Sequence, residues 1–96
     1  MIVRIQRLKI SHEKIGDFER YVANSNMKQH KVCVQAIAAK NVEKTPCEVA
    51  LVTIWTDVDA LKAFTNGKWK EPKITPEVTS FMADKPIVEV YELITM

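Results

Sequence analysis

The sequence is short of several things, and each shortage excludes a class of protein. It has only two glycines and four prolines in 96 residues, so it is neither collagen-like nor a low-complexity chain. It has two histidines and two cysteines, with no CxxC pair and no His/Cys spacing of the kind a metal site needs. No metal centre is expected. No apolar run is long enough for a membrane span, and the start has no signal-peptide pattern. A cytoplasmic protein with no membrane partner is therefore expected. Charge of one sign is also missing. The formal balance is +2, the lysines are spread along the chain, and no basic stripe suits nucleic acid.

What is present is a core. The chain is 47% hydrophobic and 27% charged, a globular balance at single-domain length, so residues 1–96 are read as one domain. Were residues 31 to 40 and 47 to 55 a hairpin, Lys40 would lie near Cys47. Cys33 would then lie about seven residues further on, at roughly 3.3 Å each. That is beyond disulfide reach, and both cysteines are read as free thiols.

The apolar periodicity yields the elements. "IVRIQRLKI", residues 2 to 10, alternates like a strand. Ser11 is placed to cap a helix, with Glu13 in its first turn and Ile15, Phe18 and Val22 at helical spacing to about Met27 or Gln29. "KVCVQAIAAK" reads as a second strand and "CEVALVTIW", residues 47 to 55, as the strongest one. Thr56 or Asp57 caps the next helix, with Val58, Leu61 and Phe64 on one face and Gly67 at its C′ position. Thr75 and Pro76 open a short helix. "KPIVEVYELI" is the last strand, and Pro86 opens it where a missing N–H does least harm. The order β-α-β-β-α-β is the ferredoxin-like split βαβ pattern, an α+β fold with a four-stranded antiparallel sheet and both main helices on one face.

The central strands go further. An antiparallel sheet with one wet face alternates apolar and polar residues, but "VALVTIW" is apolar on both parities. Val49, Leu51 and Trp55 point one way; Ala50, Val52 and Ile54 point the other. Helices cover one face. A second copy of the chain is the natural cover for the other, which predicts a homodimer.

"MIVRIQRLKI", the helix opened by "SHEKIGDFERY", "VALVTIWTDVDALKAF", "KITPEVTSFM" and "IVEVYELI" together resemble the antibiotic biosynthesis monooxygenase (ABM) family of the dimeric α+β barrel superfamily, over nearly the whole chain. The resemblance implies a homodimer with a pocket in each subunit between sheet and helices. It implies a cofactor-independent monooxygenase that oxidises a small aromatic or quinol-like compound with O2, the substrate supplying the electrons. Such chemistry needs an apolar pocket, hydrogen bonds to an anion and sometimes a base. Other members degrade haem or isomerise small molecules. A non-catalytic ligand-binding or assembly domain of the same fold, or an isomerase with His12 or His30 as base, are the alternatives.

Candidate residues follow. Trp69 sits in "AFTNGKWKEP", a charged tail where a large apolar ring is out of place in water. In monooxygenases that this chain resembles, an Asn and a Trp at the second helix steer substrate and oxygen, which implies Asn66 and Trp69 as the catalytic pair. The alternative for Trp69 is a lid on the core. Tyr21, Trp55, Arg4 and His30 are the candidate substrate-binding residues. Tyr21 borders the first helix's apolar stripe, Trp55 ends the central strand, and Arg4 lies on the first strand, where an arginine on a covered surface needs a partner. Arg4, Gln6 and Arg7 have a plainer reading too, at the sheet edge or paired with Glu89 or Glu92. Tyr91 reads as a packing or dimer residue. Haem-degrading relatives use a histidine on the second-helix segment and an asparagine on the first strand. Residues 57 to 82 contain no histidine, and the first strand has Gln6 but no Asn, so no haem and no other cofactor is expected.

Overall fold

The computed structural model describes residues 1–24, 33–43 and 47–94. Four strands, β1 (Ile2–Ile10), β2 (Gln35–Lys40), β3 (Cys47–Trp55) and β4 (Ile87–Glu92), form one sheet in the order β2-β3-β1-β4. Every neighbouring pair is antiparallel. Among the described residues there are also three α-helices, α1 (Ile15–Asn24), α2 (Val58–Phe64) and α3 (Pro76–Thr79). This is the α+β, ferredoxin-like arrangement that the sequence predicts.

The boundaries differ from expectation in instructive ways. The Ser11 side chain makes no capping bond; the chain enters α1 through a 3₁₀ turn at His12–Lys14, closed by the Lys14 N–H on the Ser11 carbonyl at 2.8 Å. The expected extension of α1 beyond Asn24 lies outside the described residues. Strand β2 begins at Gln35, after a bend at Cys33 and Val34. Asp57 caps α2, accepting the Ala60 N–H at 2.8 Å. Its C-terminus closes as a Schellman turn, with the Gly67 N–H on the Lys62 carbonyl at 2.8 Å and Asn66 on Ala63 at 3.4 Å. The left-handed C′ residue is thus Asn66 (φ 53°), and Gly67 (φ 81°) follows it. Asparagine tolerates that conformation better than most side chains. Thr75 caps α3, with Pro76 in its first turn.

Register decides which residues share a face. Arg4 opposes Thr53, Gln6 opposes Leu51, Leu8 opposes Val49, and Ile2 opposes Trp55. Their side chains meet the helices. Leu8, Ile10, Phe18, Val49 and Val78 form one buried cluster, with Ile15, Tyr21, Val22, Leu51, Ile74, Phe81 and Met82 packed around it. The other face carries Val3, Ile5, Val52 and Ile54, half-buried, with Ile37, Ile87 and Tyr91 exposed. Arg7 also lies there and pairs with Glu89, as the plainer sequence reading proposed, while Tyr91 donates its hydroxyl to the same carboxylate. Cys33 and Cys47 are free thiols. Among the described residues, no helix is long and apolar enough to cross a membrane.

Candidate functional site

The helix-side face of the sheet holds a polar band within an apolar surround. Arg4 and Gln6 are each only 4% exposed. The Arg4 guanidinium donates through Nε to the Trp69 carbonyl at 3.2 Å and through Nη2 to the Glu71 carbonyl at 2.7 Å. Gln6 Oε1 accepts the Lys73 N–H at 2.8 Å. Two buried side chains of β1 therefore hold the tail of α2 against the sheet. Beside Arg4, the Thr53 hydroxyl accepts the Trp55 indole N–H at 2.9 Å. Burial pushes the Arg4 guanidinium below its ordinary pKa, yet a guanidinium stays protonated at neutral pH. Among the described residues, no carboxylate pairs with it.

Trp69 is half-buried. Lys62 and Lys70 place their ammonium groups 5.6 and 4.9 Å from its ring centroid, a cation–π arrangement. Its main chain is fastened down by Arg4 while its ring stands among lysines. Asn66 is exposed and its backbone serves the helix terminus. Trp55 is 1% exposed and packs on Phe64, with ring centroids 5.1 Å apart. Its indole N–H is spent on Thr53, so it belongs to the core around the polar band.

Tyr21 belongs to a different neighbourhood. Its ring lies 5.9 Å from Phe81, and its hydroxyl is 3.4 Å from Thr75 Oγ1. Phe81 meets Phe18 edge-on, also at 5.9 Å. The six candidates thus do not form a single constellation. Arg4, Trp69 and Trp55 gather at the α2 end, Asn66 sits at the surface beside them, Tyr21 joins the α1–α3 contact, and His30 lies outside the described residues.

The space that sequence reasoning did not locate is under α1. An apolar cleft of about 240 Å³ lies between that helix and the sheet, lined by Ile15, Phe18 and Val22 above and Ala38 and Val49 below. On the β2 side it is floored by a small side chain on this face, Ala38, where a larger one would fill it. At its rim Lys40 donates to Glu19 at 2.5 Å, which holds the Lys40 pKa above its ordinary value. The available signal in "QAIAAK" was alanine at a helix-side position, Ala38, which leaves room over a sheet. The volume falls a little below the common range for drug-sized ligands, about 300–1,000 Å³, and suits a compact molecule. A wider groove of about 810 Å³ beside residues 71–74 and 79–86 is open to solvent and shares only Glu71 with the polar band. Among the described residues, no three His, Cys, Asp or Glu side chains come together as metal ligands.

No protein-family model matches the chain, and no curated protein does. Solved structures match over the full length. A proposed antibiotic biosynthesis monooxygenase from Nitrosomonas europaea superposes with a TM-score of 0.76 at 13% identity, covering 99% of this chain and 100% of that one. The chain shares the fold of that protein. A second proposed monooxygenase of this type, from Bordetella bronchiseptica, is similar at TM-score 0.66 and 18% identity, covering 98% of this chain and 97% of that one. A mutant of MhuD with two manganese protoporphyrin IX molecules bound per active site is similar at TM-score 0.72 and 16% identity, covering 100% and 97%. At such identities the likeness establishes the fold and leaves chemistry to the residues. For haem the residues of this chain fit poorly. Residues 57–82 carry no histidine, and His12, the histidine among the described residues, is exposed in the turn before α1.

Proposed function

We propose that this chain is a homodimeric, cofactor-independent monooxygenase of the ABM type, acting on a small electron-rich aromatic compound with O2. The observation that carries the reading is the apolar cleft under α1, which lies in a fold shared with proteins described as monooxygenases. In the reaction a ring CH2 flanked by conjugated groups loses a proton. The carbanion gives its electrons to O2. The carbon ends as C=O, one oxygen atom is retained, and the other leaves as water with the two hydrogens. The protein's share is to desolvate the aromatic body, hold it in one orientation and stabilise its anion. Phe18, Val22 and Ala38 supply the apolar walls. Trp69 closes the neighbouring end of the helix–sheet space, with Asn66 at its approach and Tyr21 bracing α1.

A second copy completes the reading. The face carrying Val3, Ile5, Val52 and Ile54 is a continuous apolar surface with Ile37 and Ile87 at its margins. Exposed apolar area of this kind marks an interface. Its two charged residues nearest the centre, Arg7 and Glu89, are already paired, which lowers the cost of covering them.

One observation favours a different reading. The ionisable residues lining the cleft are Glu19 and Lys40, and they are bonded to each other. A protein that binds an aromatic ligand without turning it over needs no more than this. Oxygen uptake separates the two. Metal-stripped protein given a panel of quinols and anthrones is expected to consume O2 above the autoxidation background. Ala38→Phe, which fills the cleft from an exposed strand position, is expected to abolish the excess while leaving the melting temperature within a few degrees. Uptake unchanged in Ala38→Phe would remove the reaction from this cleft; binding without uptake would establish the non-catalytic reading.

A further inference from the structure

The sequence contains four asparagines, and their successors differ. Asn24 precedes Ser25, Asn26 precedes Met27, Asn41 precedes Val42 and Asn66 precedes Gly67. An asparagine side chain is electrophilic at its amide carbon. The main-chain nitrogen of the next residue can close a five-membered ring on that carbon. A side chain on the next residue obstructs the approach, and glycine has none. Asn66–Gly67 is therefore the most reactive such pair in the chain. Asn66 is exposed, so water and hydroxide reach it.

The fold places this pair inside the turn that ends α2. The Thr65 N–H donates to the Leu61 carbonyl at 3.1 Å, Asn66 to Ala63 at 3.4 Å, Gly67 to Lys62 at 2.8 Å and Lys68 to Thr65 at 3.0 Å. The buried Thr65 adds a second bond to the Leu61 carbonyl through its hydroxyl, at 2.8 Å. Four successive N–H groups are thus engaged, and the one at Gly67 matters most. Its proton rests on a carbonyl, and Asn66 holds the chain in the left-handed conformation, at φ 53°. To react, the nitrogen must lose that proton and turn onto the Asn66 amide carbon. It does so only when the turn opens. Helix ends fray, and such local openings need far less free energy than global unfolding.

We propose that Asn66 is a site of spontaneous deamidation gated by the end of α2: the closed turn protects it, and each opening exposes it. Hydroxide takes the Gly67 N–H proton. The nitrogen bonds to the Asn66 amide carbon, the bond from that carbon to NH2 breaks, and ammonia leaves. The product is a cyclic imide. Water then splits one of its two ring C–N bonds. Splitting at the side-chain carbonyl gives aspartate; splitting at the main-chain carbonyl gives isoaspartate, in which the chain runs through the former side chain. One water is consumed, one ammonia is released and nothing is oxidised. Either product sets a carboxylate among Lys62, Lys68 and Lys70 and takes the formal charge from +2 to +1. Aspartate tolerates the left-handed conformation as asparagine does. Isoaspartate lengthens by one methylene the loop that the Gly67–Lys62 bond closes. The tail that Arg4 and Gln6 fasten, from Trp69 to Lys73, starts just beyond. A brief opening of the helix end thus leaves a permanent change at the foot of the segment that carries Trp69. This holds whether or not the protein turns over a substrate.

The test is peptide mapping by mass spectrometry of the full chain, held in warm, mildly alkaline buffer either folded or unfolded in guanidinium. In the unfolded chain a one-dalton gain is expected on the peptide with Asn66 before any with Asn24, Asn26 or Asn41. The folded chain is expected to show the same gain at Asn66, about tenfold more slowly or slower still. Thr65→Val removes the hydroxyl bond to Leu61 and keeps the Asn–Gly pair, and it is expected to speed the folded chain's gain several-fold. Equal rates in the folded and unfolded chains overturn the gate, and so does a folded Thr65→Val variant that reacts no faster than the native chain. A first gain at another asparagine in the unfolded chain, or none at all, overturns the site. A folded chain still unmodified after about a hundred times the unfolded half-time shows a turn that does not open, and overturns the modification. The comparison of folded with unfolded native chain decides the matter even if Thr65→Val does not fold.

Discussion

Val52→Asp is expected to convert the protein from a particle with the mass of two chains to one with the mass of a single chain, measured by light scattering at micromolar concentration. Val52 lies at the middle of a row on the face away from the helices, between Ile37 on β2 and Ile5 on β1. It is half-buried in the single chain, so an aspartate there still reaches water and the fold survives. In a face-to-face dimer the same carboxylate would be enclosed between two sheets, close to its symmetry mate. An isolated buried charge is far more costly than the few kcal/mol that separate a micromolar complex from a millimolar one, about 4 kcal/mol. Dissociation is therefore expected to be complete. A native protein that is already monomeric, or a Val52→Asp variant that remains dimeric, would mean that this face is covered in some other way.

Phe18→Ala is expected to have the largest effect on stability. Phe18 is 2% exposed and touches both halves of the helix side. It packs in the cluster with Leu8, Ile10 and Val49, meets Phe81 edge-on and walls the cleft. Truncating a buried phenylalanine costs about 3–5 kcal/mol through lost transfer energy and the void left behind. Total stabilities of small domains are about 5–15 kcal/mol. For a domain of this size the melting temperature is expected to fall on the order of 15–30 °C, since each kcal/mol is worth roughly 4–8 °C. The void would merge with the existing cleft. Stability would fall while the space for an aromatic ligand grew, and a bulky ligand would restore part of the loss by mass action. A drop of only a few degrees would show that α1 is not packed on the sheet through Phe18.

These two residues illustrate how much of the molecule is readable from its sequence. Strong local signals read well. The parity of "CEVALVTIW", the Asp57 cap and the Thr75–Pro76 start each depend on residues within a few positions of one another, and the structure has each of them. The helix end was shifted by one residue, because Asn and Gly both tolerate positive φ and the sequence does not say which takes C′. Ser11 looked like a cap, but the chain enters α1 through a 3₁₀ turn that its carbonyl closes. The site was harder for a physical reason. Arg4 is held by the carbonyls of residues 65 and 67 positions away. A main-chain carbonyl belongs to every residue, so no spacing or residue type marks the pairing. Gln6 is equally unmarked, since its side-chain oxygen accepts the main-chain N–H of Lys73. The cleft was harder still, since it depends on what Ala38 lacks.

Trp69 illustrates the same limit. Its position in a lysine-rich tail showed that it had to touch something. The structure ties its main chain to Arg4 and sets its ring between two ammonium groups. In the sequence, Asn66 and Trp69 stand as a pair. In the structure Asn66 has a backbone task at the end of α2, and Trp69 has a positional one over the polar band.

The central claim is that this chain inserts oxygen into an aromatic substrate without a cofactor. The most direct measurement is to supply isotopically labelled O2 to the metal-stripped protein with an anthrone and weigh the product. The account predicts one labelled oxygen atom in the quinone formed, the other in water, and a rate above background that Ala38→Phe removes. Product formed only at the background rate, or O2 consumed with hydrogen peroxide released and no label in the product, would contradict it.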